Sequence, residues 1–397
     1  GYGETSNFFF FFWYRLSNPN LTINSGRVTV NGTVETNNEN DNNTSTFTLG
    51  NNSPHIILNG NTPFALDGTG TNNLTLNGSG ATVEYGGSGT QIVYDTDYSN
   101  LSVTGTGVKE VNSNLTIPGT FNSGAQLDVT ANITFNGPVN CNGGTMNATS
   151  GVVTYNTAAT NVIPGLYNNL TKMGGGTSTL CGDVTVSNIL DLDNGIIRLA
   201  EADLTISNTD AGAITGTFNA NNMIETNGAG RLIKQGTDAG LSIVYPVGSA
   251  GFYTPMDFTS ITASYSGTGS ISVRAVAGSQ GTGLLQKYWE VGTQNITSVN
   301  SASPIFSYNE NEVDGAEGSY TVWYSSGTSW AEPDNPTINT TTNSFGSSNT
   351  TELAGKWTSG TSAPTIPDIY YSYQPGDWDN PDTWTFDPGG TTLTPTD

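Results

Sequence analysis

Short runs of alternating apolar and polar residues recur along most of the chain. Leu127-Asp128-Val129-Thr130-Ala131-Asn132-Ile133-Thr134-Phe135 is one, and Val184-Thr185-Val186-Ser187 and Leu204-Thr205-Ile206-Ser207 keep the same beat. A period of two puts every apolar side chain on one face of a strand. Asn, Gly, Asp and Ser punctuate the runs, and these residues tolerate tight corners. No single run can bury its apolar face alone. Stacked runs bury a continuous stripe.

The runs belong to a longer repeat. Residues 153–206 copy residues 83–135. Val153-Thr154-Tyr155 answers Val83-Glu84-Tyr85, Asn169-Leu170-Thr171 answers Asn100-Leu101-Ser102, and Asp203-Leu204-Thr205 answers Asn132-Ile133-Thr134, at offsets of 70, 69 and 71 residues. Gly174 to Gly176 fall where Gly105 and Gly107 fall. Three strands and about 20 residues per coil predict a right-handed parallel β-helix over 20–236, each coil rising about 4.8 Å. A chain of small separate sandwiches is the competing geometry. The Asn-rich span 35–46 reads as a loop, and a last coil runs through Ala213 to Phe218 and on to about Lys234.

The pattern changes near Leu241. Strands are expected at 260–265, 271–276, 287–291, 305–308 and 320–324, joined by Gly, Asn and Ser turns. That spacing predicts an antiparallel β-sandwich over 237–362. Six of the seven tryptophans lie from Trp289 onward, which suits a sandwich core better than narrow coils. Residues 363–397, with Pro364, Pro367 and the Trp378 to Trp384 stretch, read as a linker and the start of a next module. At the other end, Phe8 to Phe12 with Trp13 and Tyr14 form an unbroken aromatic run. Residues 1–19 are expected to be a capping strand buried on both faces, because such a run left exposed would aggregate.

Composition narrows the function classes. Hydrophobic residues at 34%, with 50 glycines beside them, lie in the ordinary globular range. Apolar residues nowhere follow a helical stripe, so the fold class is all-β. Ten Lys+Arg against 33 Asp+Glu give a net charge of −23. Nucleic acid is therefore no expected partner, since phosphate contacts need clustered Lys and Arg. No apolar run approaches a membrane span, so no membrane insertion of this segment is expected. The chain shows no export signal or sorting tail and starts and stops in mid-pattern, so it reads as a segment of something longer.

Two cysteines, Cys141 and Cys181, argue against a disulfide scaffold. They lie 40 residues apart, about two coils, hence roughly 9–10 Å along the axis, beyond disulfide reach. Each is expected to plug its own coil as a small apolar residue.

Tyr167-Asn168-Asn169-Leu170-Thr171, the glycines that follow, and Leu180-Cys181-Gly182-Asp183-Val184-Thr185-Val186 resemble the repeats of giant secreted surface proteins of Bacteroidetes. Gly228-Ala229-Gly230-Arg231-Leu232, Tyr245-Pro246-Val247-Gly248 and the stretch from Trp378 to Trp384 add to the resemblance. That family is exported by type IX secretion and includes gliding-motility adhesins. The resemblance covers most of 20–397 as a style of repeat. It implies a secreted, extracellular, cell-surface filament and supplies no catalytic residue.

Candidate chemistry is sparse. His55 is the single histidine, reads as a surface loop residue, and has no sequence partner for a triad or metal site. Asp191 and Asp193, and Asp95 and Asp97, are carboxylate pairs that would share a strand face, the minimum for a hydrolase. Lys109, Lys172 and Arg198 are scattered, whereas a lyase wants a base beside an acidic cluster. Asp191-x-Asp193-x-Gly195 and Asn309-x-Asn311-x-Val313-Asp314-Gly315 resemble parts of calcium loops without the closing Glu. The Asn-x-Ser/Thr triplets at Asn20, Asn31, Asn73, Asn114, Asn132, Asn169 and Asn295 are what Asn and Thr abundance produces by chance. Trp323, Trp330 and Trp357 are the residues that would stack on sugar rings, with core packing the commoner fate.

The sequence thus points to a non-enzymatic spacer and adhesive stalk of an extracellular adhesin or filament. No catalytic, cofactor-binding or metal residues and no cofactor are expected. Surface polysaccharides or other filament subunits are the expected partners. The alternative is a carbohydrate-active enzyme or carbohydrate-binding protein with β-helix and sandwich domains.

Overall fold

A computed structural model describes residues 20–38, 43–327, 329–364, 371–372 and 384–385. The expected cap over 1–19 lies outside the described residues. So does most of 363–397, where Tyr371–Ser372 pairs antiparallel with Trp384–Thr385. The chain is nearly all β, with 55% strand and 4% helix. Among the described residues no helix is long and apolar enough to cross a membrane.

Up to Val247 the strands are short and pair in parallel, each with the equivalent strand a fixed distance along the chain. Arg27–Val30, His55–Leu58, Thr82–Tyr85, Asn100–Val103, Phe121–Ser123 and Val139–Cys141 stack in that order. Thr160–Val162, Thr177–Leu180, Ile196–Arg198, Ile224–Glu225 and Val247–Ser249 form a second parallel ladder. A third begins at Gln91–Ile92 and Lys109–Val111 and continues through Leu127–Val129, Met146–Tyr155, Gly165–Lys172, Val184–Leu192, Leu204–Ile206 and Leu232–Gly236.

The step between partners is not uniform. Val28 lies opposite Ile56, 28 residues on, and Ile56 opposite Val83, 27 on. Val83 then meets Leu101 after 18 and Leu101 meets Phe121 after 20. Late partners separate again, Leu204 meeting Leu232 after 28. The expected 20-residue step holds in the middle of the chain only. The first steps are longer because they carry extra strands, Asn20–Ile23 under Thr44–Leu49 under Thr71–Thr75, and Val34–Asn38 beside Phe64–Gly68. The span 35–46, expected as a loop, is therefore mostly strand.

The alternating residues face as their period dictates. Leu127, Val129, Ile133, Phe135, Val153, Tyr155, Leu204 and Ile206 are all fully buried, and the polar residues between them face outward. Each such aliphatic burial contributes about 1.5–3 kcal/mol. Aromatic rings stack from strand to strand: Phe121 on Phe135 at 4.9 Å, Phe135 on Tyr155 at 5.1 Å. Corners need glycine where coils touch. Gly176 has φ +55, and a Cβ there would stand 1.7 Å from the Ala158 carbonyl.

The 70-residue copy corresponds to a repeated clasp. Tyr85 and Tyr98 are buried with hydroxyls 2.8 Å apart; Tyr85 also accepts the Tyr94 N–H, and Tyr98 donates to the Tyr94 carbonyl. Tyr155 and Tyr167 repeat the arrangement around Ile163, at 2.8, 3.1 and 2.6 Å. Two phenols thus satisfy both backbone groups of one corner residue inside the core, which would otherwise be left without partners.

Asn and Asp side chains do similar work outside. Asn100, Asn114 and Asn132 each accept a backbone N–H about one coil further on, from Thr120, Asn132 and Val152. Asp183 and Asp203 do the same for Asp203 and Arg231. Asn140 stacks on Asn122, and Asn156 on Asn136.

Cys141 and Cys181 form a disulfide, with Cα atoms 6.4 Å apart, which corrects the expectation of two separate plugs. The spacing argument assumed unbroken rungs. The Val139–Cys141 strand pairs backward with Phe121–Ser123, but its forward contacts to 160–162 run through the Thr160 hydroxyl and the Asn161 amide. At this seam Cys141 Sγ and the Cys181 N–H both reach the Val162 carbonyl, at 3.7 and 3.1 Å. The intervening coil turns away at Ile163 and Pro164 and leaves the sulfurs in reach.

Beyond Leu232–Gly236 pairing becomes antiparallel. That strand is parallel to Leu204–Ile206 and antiparallel to Met256–Ala277, so one strand serves both regimes. Met256–Ala277 and Lys287–Ser307 pair along their length through several bulges. The four strands expected at 260–265, 271–276, 287–291 and 305–308 are thus two long bent ones. Thr321–Ser325, Pro336–Asn339, Ser344–Ser347 and Gly355–Gly360 complete this part. Its core is aromatic: Phe306 stacks on Phe345 at 5.2 Å and on Trp357 at 5.3 Å, with Trp289 against both phenylalanines.

The clasp has a direct test. Tyr155→Phe leaves the Ile163 N–H without an acceptor in a dry site, and the expected cost is about 1–3 kcal/mol in urea denaturation. A variant as stable as the parent would contradict the role given to the phenols.

Candidate functional site

The groups best suited to chemistry are buried lysines. Lys109, Lys172 and Lys234 are 0%, 1% and 0% exposed. Burial lowers each ammonium to about 8. A lysine so poised suits a general base or nucleophile. The geometry assigns another task. Lys109 Nζ donates to the Gly87 and Gly107 carbonyls, both at 2.8 Å. Lys172 Nζ donates to Thr157 and Gly175, and Lys234 Nζ to Asn208 and Gln235. Each ammonium closes a corner from inside, collecting carbonyls that the strand ladders leave free. The sequence shows these lysines as scattered, because a corner cap needs no charged neighbour.

The remaining cations are paired. His55 does not sit in a loop: it opens the His55–Leu58 strand beside Arg27 and 2.8 Å from Glu84. The hydrogen bond with His55 holds the Glu84 carboxyl below its ordinary value against the upward push of burial, and Thr104 donates to the same group. Arg198 binds Glu225 at 2.6 Å. Burial pushes Glu290 up, but Arg274 at 2.8 Å and Arg231 at 2.5 Å outweigh it and leave that carboxyl below its ordinary value. Lys287 and Glu312 form a buried pair at 2.6 Å, with Lys287 also donating to Thr254 and Ser249. Burial pulls that lysine down against the pull of Glu312. Removing one partner would strand a buried charge, a loss of about 3–5 kcal/mol.

The carboxylate pairs are not strand-face pairs. Asp191 lies in the Val184–Leu192 strand and accepts from Thr215, whereas Asp193 lies past its end in a bend. Asp95 and Asp97 sit in an exposed turn after Gln91–Ile92. The calcium-like stretch from Asn309 to Gly315 is consumed locally. Asn309 and Glu312 form a capping box on the short helix Glu310–Glu312, and Asp314 accepts the Gly283 N–H at 3.0 Å. Among the described residues no three His, Cys, Asp or Glu side chains converge to hold a metal ion. Trp357 is fully buried in the aromatic core and cannot meet a sugar. Trp323 is half-buried and donates to the Gly360 carbonyl; Trp330 is half-buried.

One concavity stands outside this pattern. Asn77, Asp97, Tyr98, Ser99, Thr116 and Pro118 line a surface notch of about 290 Å³. Sequence reasoning noticed Asp97 but had no means of bringing Asn77 and Thr116 to it.

No family model matches the chain, nor does any curated protein or solved structure.

The lysine corner caps carry a pH signature. The folded ammonium titrates near 8 and the unfolded one near 10.5. Between those values the unfolded chain binds more protons, so stability from these groups rises with pH across that window. Lys172→Met should flatten the rise measured by urea denaturation between about pH 8 and 9.5. An unchanged slope would show that Lys172 is not held as described.

Proposed function

We propose that the chain is a non-catalytic structural segment of an extracellular adhesin or cell-surface filament. In this reading residues 20–236 form a right-handed parallel β-helix that acts as a stiff spacer. Residues 237–362 form an antiparallel β-sandwich that continues it as a second bead. Export by type IX secretion, as in the Bacteroidetes surface repeats that 167–186 resemble, completes the proposal. Its partners would be surface polysaccharides or other filament subunits.

The single observation that carries the reading is the Cys141–Cys181 disulfide. Such bonds persist in oxidising compartments and are rare in reducing ones. This one lies at the surface, with Cys181 exposed, and ties the seam between two ladders. The disposition of charge supports the same reading. The basic side chains of the described residues are buried or paired with carboxylates, apart from Lys356, which lies 5.4 Å over the Tyr288 ring. The exterior is left acidic, which favours solubility and keeps neighbouring filaments apart. Residues able to do chemistry are engaged in holding coils together.

Two measurements check this. Reducing the bond should lower unfolding free energy by about 4 kcal/mol, the loop entropy of a 40-residue crosslink. Free thiols at Cys141 and Cys181 in protein taken from its native compartment would contradict an extracellular home. Incubation with acidic and neutral polysaccharides should release no oligosaccharides, and reproducible release would overturn the non-catalytic assignment.

A further inference from the structure

The notch lined by Asn77, Asp97, Ser99 and Thr116 arises where the coils change girth. Partners are 27 residues apart from Ile56 to Val83 and 18 apart from Val83 to Leu101. The ladder of Asn20–Ile23, Thr44–Leu49 and Thr71–Thr75 ends here, continued only by an isolated bridge from Leu76 to Tyr98. A wide coil followed by a narrow one leaves a ledge. Asn77 lies on the wide side, Asp97 and Ser99 on the step, Thr116 and Pro118 on the narrow coil. Glycines follow at both rims. A Cβ at Gly78 would stand 2.2 Å from the Gly50 carbonyl, and one at Gly119 2.4 Å from that of Ser99, so no side chain can fill the rims.

The lining differs from the wall around it. Asn100, Asn114 and Asn132 are taken up in inter-coil hydrogen bonds. Among the described residues the side chains of Asn77, Asp97, Ser99 and Thr116 have no protein partner, and they converge on one concavity. We propose that this notch binds one residue of a neutral saccharide. The chemistry selects that class. Asp97 and the absence of any basic residue from the lining disfavour phosphate and carboxylate ligands. One carboxylate is too few for a calcium ion, which takes six to eight oxygens. Sugar hydroxyls both donate and accept, which fits one carboxylate, one amide and two hydroxyls. Pro118 offers an apolar patch to a ring face. The volume is at the small end of ligand sites, about 300–1,000 Å³, and the notch is open, so a Kd on the order of 1 mM is expected.

This deepens the adhesive reading and rests on it for the source of the sugar. Failure to bind would leave the disulfide-tied stack untouched, so the two can fail separately. The experiment is saturation-transfer NMR of the whole chain with a panel of neutral methyl glycosides and their short oligomers at millimolar concentration. At least one should show contact. Asp97→Ala should weaken it roughly tenfold or more, the loss of a charged hydrogen bond. Thr116→Arg, which fills the notch, should abolish it. Asp193→Ala, an exposed carboxylate elsewhere, should leave it unchanged. All replaced side chains are exposed, so thermal melts should match the parent. Silence across the panel, or binding indifferent to both Asp97→Ala and Thr116→Arg, overturns the site.

Discussion

The structure depends on backbone hydrogen bonds from each short strand to its equivalent one coil away. Leu115–Ile117, Leu127–Val129 and Ile133–Phe135 have three residues each. Alone, none would form, since even a two-stranded hairpin is marginal in water. Stacked, each gains partners above and below and its apolar residues join a stripe already buried. The period of two follows from this, because any slip by one residue would turn the stripe outward.

Corners are the weak point of such stacking, since a turning backbone cannot keep its ladder bonds. Three kinds of side chain repair them. Paired tyrosines serve Tyr94 and Ile163 from the core, lysines collect loose carbonyls from within, and Asn and Asp reach along the outside. A chain with few cations thus uses several of them internally. The disulfide belongs to the same set: it sits where side chains replace the strand ladder between Cys141 and Val162.

Much of this was legible in the sequence. Alternation placed the inward residues from Leu127 to Phe135 correctly, and the copy of 83–135 in 153–206 marks both tyrosine clasps. Less visible were features set by neighbours in space. The bond between Cys141 and Cys181 depends on a break in the ladder, which no spacing rule detects. Bulges between Tyr265 and Ser270 hold one long strand together where turn residues advertise two. The notch depends on a change of coil girth, so Asp97 was visible and its companions were not. His55 looked like a loop residue after Pro54, because its partners Arg27 and Glu84 come from coils on either side.

The central claim is the inter-coil register, and paired cysteines test it most directly. Thr134 lies opposite Thr154 in adjacent parallel strands, both partly accessible from outside. Neighbouring strands lie about 4.8 Å apart, within disulfide reach. Under mild oxidation, Thr134→Cys with Thr154→Cys should crosslink in a non-reducing peptide map. Thr134→Cys with Val153→Cys, where Val153 faces the core, should not. No bond in the first pair, or equal bonding in both, would contradict the stacked register on which the account stands.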